Sequence, residues 1–198
     1  FEKVRRFHNL GLSLISLAMA VIMTAHLWGQ GRLTSWHSAS CINTPNTGLY
    51  GFANLVYLIT KIWEWGDTYF LVLSRKPVIF LHWFHHMTTF TMAALTHNFP
   101  VGGFCLVNCI VHFVMYLHFA FPFPAARPFI TSGQLAQFAV VISIHTYGFV
   151  DSSCYDMQPV FKEWLFCQAV VVGFAILFMN FFLQQYLKPA RKTKKRQE

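Results

Sequence analysis

Six long apolar runs leave this chain little choice of fold. They cover about Phe7 to Trp28, Tyr50 to Leu73, Val78 to Thr96, Val101 to Phe121, Phe129 to Val150 and Phe161 to Leu187. Each is close to the roughly 20 residues that an α-helix needs to cross the hydrocarbon region of a bilayer. In that region only helices and closed barrels satisfy their own backbone polar groups. Composition points the same way, since 55% of the residues are hydrophobic and 11% charged, with 22 Phe and 6 Trp. A single soluble core of 198 residues does not hold that much apolar surface. The runs therefore predict an all-α membrane protein, a bundle of six transmembrane helices forming one domain over residues 1–198.

The connections are turn-rich or polar: Gly29 to Gly48, the Pro-rich Phe121 to Pro128, and the acidic Asp151 to Asp156. No fixed-period repeat is present, and the only biased segment is the basic tail 188–198. The formal charge of +8 is gathered beside the spans, which argues against nucleic acid as a partner. If the stretch before the first run is cytosolic, alternation puts Lys3, Arg5, Arg6, Arg75, Lys76, Arg127 and the Lys188 to Arg196 tail on that side. Arg32, the neutral Thr96 to Gly103 turn and the Asp151 to Lys162 loop then face the other way, as the positive-inside rule asks. The chain opens on Phe1 and enters a span within about ten residues, so a further N-terminal segment is expected to precede it. The first run reads as a retained helix, not a cleaved signal peptide.

Five cysteines make no disulfide framework in a chain of this size. Cys41 and Cys154 fall in loops assigned to the same, non-cytosolic side, where a bridge between them can form. Cys105, Cys109 and Cys167 lie in spans and read as small packing residues.

Polar residues inside the runs share helix faces. His82, His85 and His86 stand at i, i+3 and i+4, with Thr89 one step further on. A lone intramembrane histidine such as His26 or His145 can be a packing residue, but three on one face at bilayer depth mark a pathway or a site. In the second run Lys61, Glu64 and Thr68 share a face and Asp67 adjoins Glu64, so these charges are expected to pair with one another or with the histidine face. In the fourth, Asn108, His112, Met115 and Tyr116 form one ridge, with His118 off it. In the fifth, Thr131, Gln134 and Gln137 step by three. Any one stripe serves as glue between helices, whereas four of them argue for a shared interior cavity. An imidazole in such a cavity can be general base, nucleophile or metal ligand, and the spacing alone does not choose.

Taken together these residues resemble the ELO family of very-long-chain fatty acid elongases, the membrane 3-ketoacyl-CoA synthases of the endoplasmic reticulum. Four boxes occur in order: K-x-x-E-x-x-D-T as Lys61, Glu64, Asp67 and Thr68; H-x-x-H-H as His82, His85 and His86; N-x-x-x-H-x-x-M-Y as Asn108, His112, Met115 and Tyr116; and T-x-x-Q-x-x-Q as Thr131, Gln134 and Gln137. The resemblance implies seven spans, the first lying before Phe1, and condensation of an acyl-CoA with malonyl-CoA to a 3-ketoacyl-CoA, CO2 and CoA. It implies His85 as the nucleophile that carries the acyl group, His112 facing it, and Asn108, His112 or the glutamines as donors to the enolate. Arg75, Lys76 and Arg127 become contacts for CoA phosphates, and the acyl tail threads between apolar spans toward the lumenal side.

The same resemblance implies no metal or other cofactor, since both CoA esters are substrates. It places the protein in the endoplasmic reticulum membrane with a cytosolic C-terminus, beside a 3-ketoacyl-CoA reductase, a 3-hydroxyacyl-CoA dehydratase and an enoyl-CoA reductase, and leaves a homo-oligomer open. The sequence His82-Trp-Phe-His85-His86 is nearer to members acting on saturated and monounsaturated chains than to the polyunsaturated group. Where many members follow Met-Tyr with two more tyrosines, this chain has His118 and Phe119. Lys194, Lys195 and Arg196 resemble a dibasic retrieval signal. Two rivals also bury histidines: a membrane di-iron desaturase or hydroxylase, which needs further histidine boxes, and a proton or metal transporter, which predicts flux instead of product.

Overall fold

The computed structural model describes residues 1–41, 45–96, 103–151, 154 and 161–187. Most of the Thr96 to Gly103 turn, most of the acidic loop after Asp151 and the basic tail 188–198 lie outside the described residues. Regular structure among the described residues is helical throughout. In chain order it comprises α1 (Glu2–Gly29), α2 (Trp36–Cys41), α3 (Gly48–Trp63), α4 (Trp65–Leu73), α5 (Phe80–Thr96) and α6 (Gly103–Ala120). A 3-10 turn (Pro124–Ala126) leads into α7 (Arg127–Val150), and α8 (Phe161–Phe182) ends in a π turn (Leu183–Leu187).

The apolar runs thus become helices, with two differences. The Gly29 to Gly48 connection contains α2, a short helix that packs on α7. The second run is not one rod but two, broken at Glu64, where the ladder tightens and the Asp67 N–H donates to the Glu64 carbonyl at 3.1 Å. Among the described residues, two of the helices are apolar and long enough to span a bilayer by length and composition alone, Glu2–Gly29 and Phe161–Leu187, with Phe104–Ala120 a shorter apolar helix.

Helix ends follow backbone hydrogen-bond chemistry. After α1 the Arg32 N–H reaches the Leu27 carbonyl and the Gly31 N–H the Trp28 carbonyl, with Gly31 at φ 66°. This is the Schellman closure, which suits glycine because its third residue is left-handed. The same closure ends α4, where Lys76 N–H donates to Leu71 and Arg75 N–H to Val72, but here an arginine occupies the φ 53° position.

α1 lies along α6 and against α3, α7 packs on both α6 and α8, and α5 sits between α3 and α8. The α1 face turned inward carries His8, Asn9, Leu12, Ser13, Ser16, Met19, Ala20, Met23 and Leu27, a stripe at helical spacing. Its small residues let α6 approach closely, as in membrane bundles generally, and Ser13 Oγ donates to the Phe113 carbonyl at 3.0 Å. One apolar cluster joins α1, α3, α5 and α6 around Met23, Tyr50, Ala53 and Cys109. A second joins α5, α7 and α8 around Met92, Phe138, Val141, Cys167, Val171 and Phe174. Cys41 and Cys154 are joined by a disulfide, with their Cα atoms 4.6 Å apart. The helices also bound a cavity lined by residues of α1 and of α4 through α8.

Candidate active site

The cavity measures about 600 Å³. The first box reaches it from the break between α3 and α4, with Glu64 and Asp67 on its wall and Lys61 behind them. Lys61 and Glu64 are both 2% exposed and pair with each other, Nζ to Oε1 at 2.8 Å. Lys61 Nζ also donates to Asn108 Oδ1 at 3.0 Å and sits 4.5 Å from the Tyr57 ring centroid. The same Glu64 oxygen lies 3.1 Å from His112 Nδ1. A buried charge pair survives only when its remaining donors and acceptors are met, and these contacts serve the Lys61 ammonium and Glu64 Oε1.

This network fixes orientations that the sequence leaves free. Lysine has no acceptor, so the Asn108 atom facing Lys61 must be oxygen; Tyr57 Oη donates to that same atom at 3.0 Å. The Asn108 amide nitrogen therefore turns the other way, 3.5 Å from Gln137 Oε1. A carboxylate is an acceptor only, so His112 donates through Nδ1 to Glu64 and keeps Nε2 for other partners.

The H-x-x-H-H face lines the cavity in full, with His82, His85 and His86 all on its wall. His82 is anchored by Thr68, Oγ1 to Nε2 at 3.0 Å, and its ring lies 4.5 Å from that of His86. His86 is buried, and its Nδ1 has no hydrogen-bond partner among the described residues. The His85 imidazole rests against Phe174 and Phe178, with ring centroids 5.0 Å and 6.1 Å away, and makes no hydrogen bond to a described residue. His85 thus has aromatic packing on one side and the cavity on the other.

The remaining boxes complete the walls. Asn108, His112, Met115 and Tyr116 come from α6, and Thr131, Gln134 and Gln137 from α7. Gln134 Nε2 donates to Met115 Sδ at 3.3 Å, and Thr131 Oγ1 lies 3.4 Å from Tyr186 Oη. His118 and Phe119 also line the cavity, and His118 Nδ1 accepts the Phe123 N–H at 3.2 Å, closing the turn after α6. Three cations from separate elements, Arg5, Lys76 and Arg127, border the same space, whereas Arg75 does not. Away from them, Phe138 belongs both to the cavity wall and to the α5, α7, α8 cluster, which fills the interior beyond it.

Asp67 breaks with expectation. It pairs neither with Glu64 nor with Lys61: one oxygen accepts from Tyr116 Oη at 2.8 Å and the other lies 3.1 Å from His8 Nε2. His8 and Tyr57 belong to no box and are missed by reading motifs; Tyr57 is legible only as one turn before Lys61 on the same face. The grouping of His37, Cys41, Asp151 and Cys154, with ligand atoms within 4.8 Å of one another, lies outside this cavity and contains the disulfide.

Residues 1–194 match the family described as ELO: GNS1/SUR4 family. The chain is similar to very long chain fatty acid elongase 3 of Homo sapiens, at 34% identity over 166 residues, covering 77% of this chain and 60% of that protein. It is 34% identical to long chain fatty acid elongase 2 of Caenorhabditis elegans over 208 residues, covering 94% and 73%. With very long chain fatty acid elongase 6 of Drosophila melanogaster the identity is 32% over 161 residues, covering 74% and 50%. The chain therefore spans only part of the length of the curated relatives it matches, from half to about three-quarters.

Proposed function

The chain belongs to the ELO (GNS1/SUR4) family, and from that premise we propose that it is a fatty acid elongase that condenses an acyl-CoA with malonyl-CoA. The observation that carries the reading is one cavity into which His85 and His112 both open, with His112 held from behind by the buried Glu64–Lys61 pair. This supports His85 as the nucleophile and His112 as the oriented acid and base.

In the proposed cycle a ring nitrogen of His85 attacks the acyl thioester carbon, the C–S bond breaks, and the departing CoA thiolate takes the imidazole proton. Malonyl-CoA then loses CO2, leaving its electron pair as an enolate whose carbon attacks the acyl-imidazole. The C–N bond breaks, 3-ketoacyl-CoA leaves, and His85 must regain a proton. For this step His112 first takes a proton from water on Nε2, becoming an imidazolium beside the Glu64 carboxylate, and passes that proton to His85 while Nδ1 stays bound to Glu64, so each turnover takes up one proton from water. Asn108, its oxygen occupied by Lys61 and Tyr57, has amide N–H groups to offer the enolate oxygen. No bound cofactor enters this cycle.

Arg5, Lys76 and Arg127 supply positive charge for the CoA phosphates at the cavity border. Phe138 and the cluster beyond it meet the acyl tail and restrict its length. Saturated and monounsaturated primers are the proposed substrates. The proposed setting is the endoplasmic reticulum membrane, with the C-terminus in the cytosol and the reductases and dehydratase of the elongation cycle as partners.

The test incubates membranes carrying the complete protein with labelled malonyl-CoA and a panel of acyl-CoA primers. Two-carbon extension is expected, and its absence from correctly inserted protein removes the reading. His85→Ala is expected to abolish product together with any hydroxylamine-sensitive acyl-enzyme; turnover retained in that variant assigns the nucleophile elsewhere.

A further inference from the structure

α4 forms part of the cavity wall, yet none of its residues is buried. Its packing is limited to half-buried residues and to ring contacts of Trp65 and Phe70, so polar ties share in setting its position. Trp65 Nε1 donates to the His86 carbonyl at 3.2 Å, Thr68 meets His82, and Asp67 meets Tyr116 and His8. The first three ties run to α5 and α6, which carry the boxes themselves. The fourth runs to α1, where no box exists.

His8 is built into its place. Its side chain is 9% exposed, and Trp63 Nε1 donates to its Nδ1 at 3.0 Å. A neutral imidazole that accepts at Nδ1 carries its proton on Nε2, so His8 donates that proton to Asp67. The ring packs edge-on against Phe70, centroids 5.0 Å apart. Gly66 makes room for it, since a Cβ there would lie 2.6 Å from His8 Cε1. A glycine one residue before Asp67, on a helix that otherwise reads as apolar, is explained by this close approach.

We propose that His8 is a positioning residue of the condensing site: by holding one oxygen of Asp67 while Tyr116 holds the other, it fixes the first turn of α4. Through Thr68 and His82 it thereby sets the row of contacting rings that ends in His85. The consequence passes along contacts of stated length: Thr68 to His82 at 3.0 Å, His82 to His86 at 4.5 Å between centroids, and His86 to His85 at 5.3 Å. At such sites a misplacement of about 1 Å, caused by a change away from the reacting atoms, can cost about a hundredfold in rate. This inference rests on the elongase reading.

The experiment measures two-carbon extension by the complete protein in membranes, per mole of folded enzyme judged by fluorescence-detected size exclusion. His8→Phe keeps a ring over Gly66 and removes both hydrogen bonds; it is expected to lower kcat about tenfold while KM for the acyl-CoA moves less than about twofold. His8→Gln, whose amide can donate to Asp67, is expected to recover most of the loss. Because His8 and Tyr116 act through the same carboxylate, His8→Phe combined with Tyr116→Phe should be no slower than the worse single variant. Should His8→Phe fold poorly, Gly66→Ala displaces the same ring without changing a polar group and should reproduce the kcat loss. Unchanged kcat in the folded variants, or two substitutions whose effects multiply, overturns the role of His8 alone. A wild type that extends no primer removes the elongase reading and this inference with it.

Discussion

Glu64 shows how much one side chain can be asked to do. It neutralises Lys61, orients His112 and is 2% exposed. Removing one partner of a buried pair strands the other charge, at a cost of about 3–5 kcal/mol. Lys61→Met should therefore lower the thermal midpoint in detergent strongly. Lys61→Met with Glu64→Gln should cost less than the two single losses added together, because no charge is then left alone. Full additivity in thermal unfolding would falsify the pairing. The partners within the boxes were legible in the sequence, since helical spacing puts Lys61 and Glu64 on one face and a membrane interior obliges them to pair. His8 was not legible, because it lies about sixty positions from Asp67 and nothing local links α1 to α4. The signal available was Gly66, a residue that costs helix stability and is repaid only by close approach.

Elements repeat that pattern of success and failure. The six apolar runs mark the long helices within a few residues, because length and hydropathy are local properties. The break at Glu64 escapes them, because Trp, Glu and Trp carry no proline and no turn chemistry; the interruption appears where the Lys61 and Glu64 charges are buried. α2 escapes for another reason, being a six-residue helix placed by its contact with α7 and not by its own pattern. The end of α4 also supports a prediction. Arg75 holds the left-handed position of a Schellman closure, which a β-carbon disfavours by about 1–2 kcal/mol. Arg75→Gly should raise the thermal midpoint, and an unchanged or lowered midpoint would show that the arginine side chain supplies a compensating contact.

At the scale of the molecule, one covalent link ties distant parts of the sequence. The Cys41–Cys154 disulfide joins positions 113 apart in sequence and closes a loop that includes α3 through α7 and hence most of the cavity wall. Closing so long a loop restricts the unfolded chain, so Cys41→Ser should destabilise the protein by about 2–4 kcal/mol. A thermal midpoint measured with and without dithiothreitol checks this: wild type should fall toward the variant, and the variant should not respond. The existence of a shared cavity follows from four polar faces that cannot point at lipid, whereas its shape depends on Phe138, Phe178 and Tyr186, apolar or aromatic positions indistinguishable in sequence from ordinary packing. The wall formed by α4 has one more property. Its outer side shows Tyr69, Val72 and Leu73, each well over half exposed, and its inner side is held by hydrogen bonds worth about 1 kcal/mol apiece. Stretching or thinning the surrounding bilayer costs energies of the same order per few ångströms of mismatch. On these magnitudes, the side of the cavity that α4 walls is the one that a few ångströms of bilayer mismatch would displace at comparable cost.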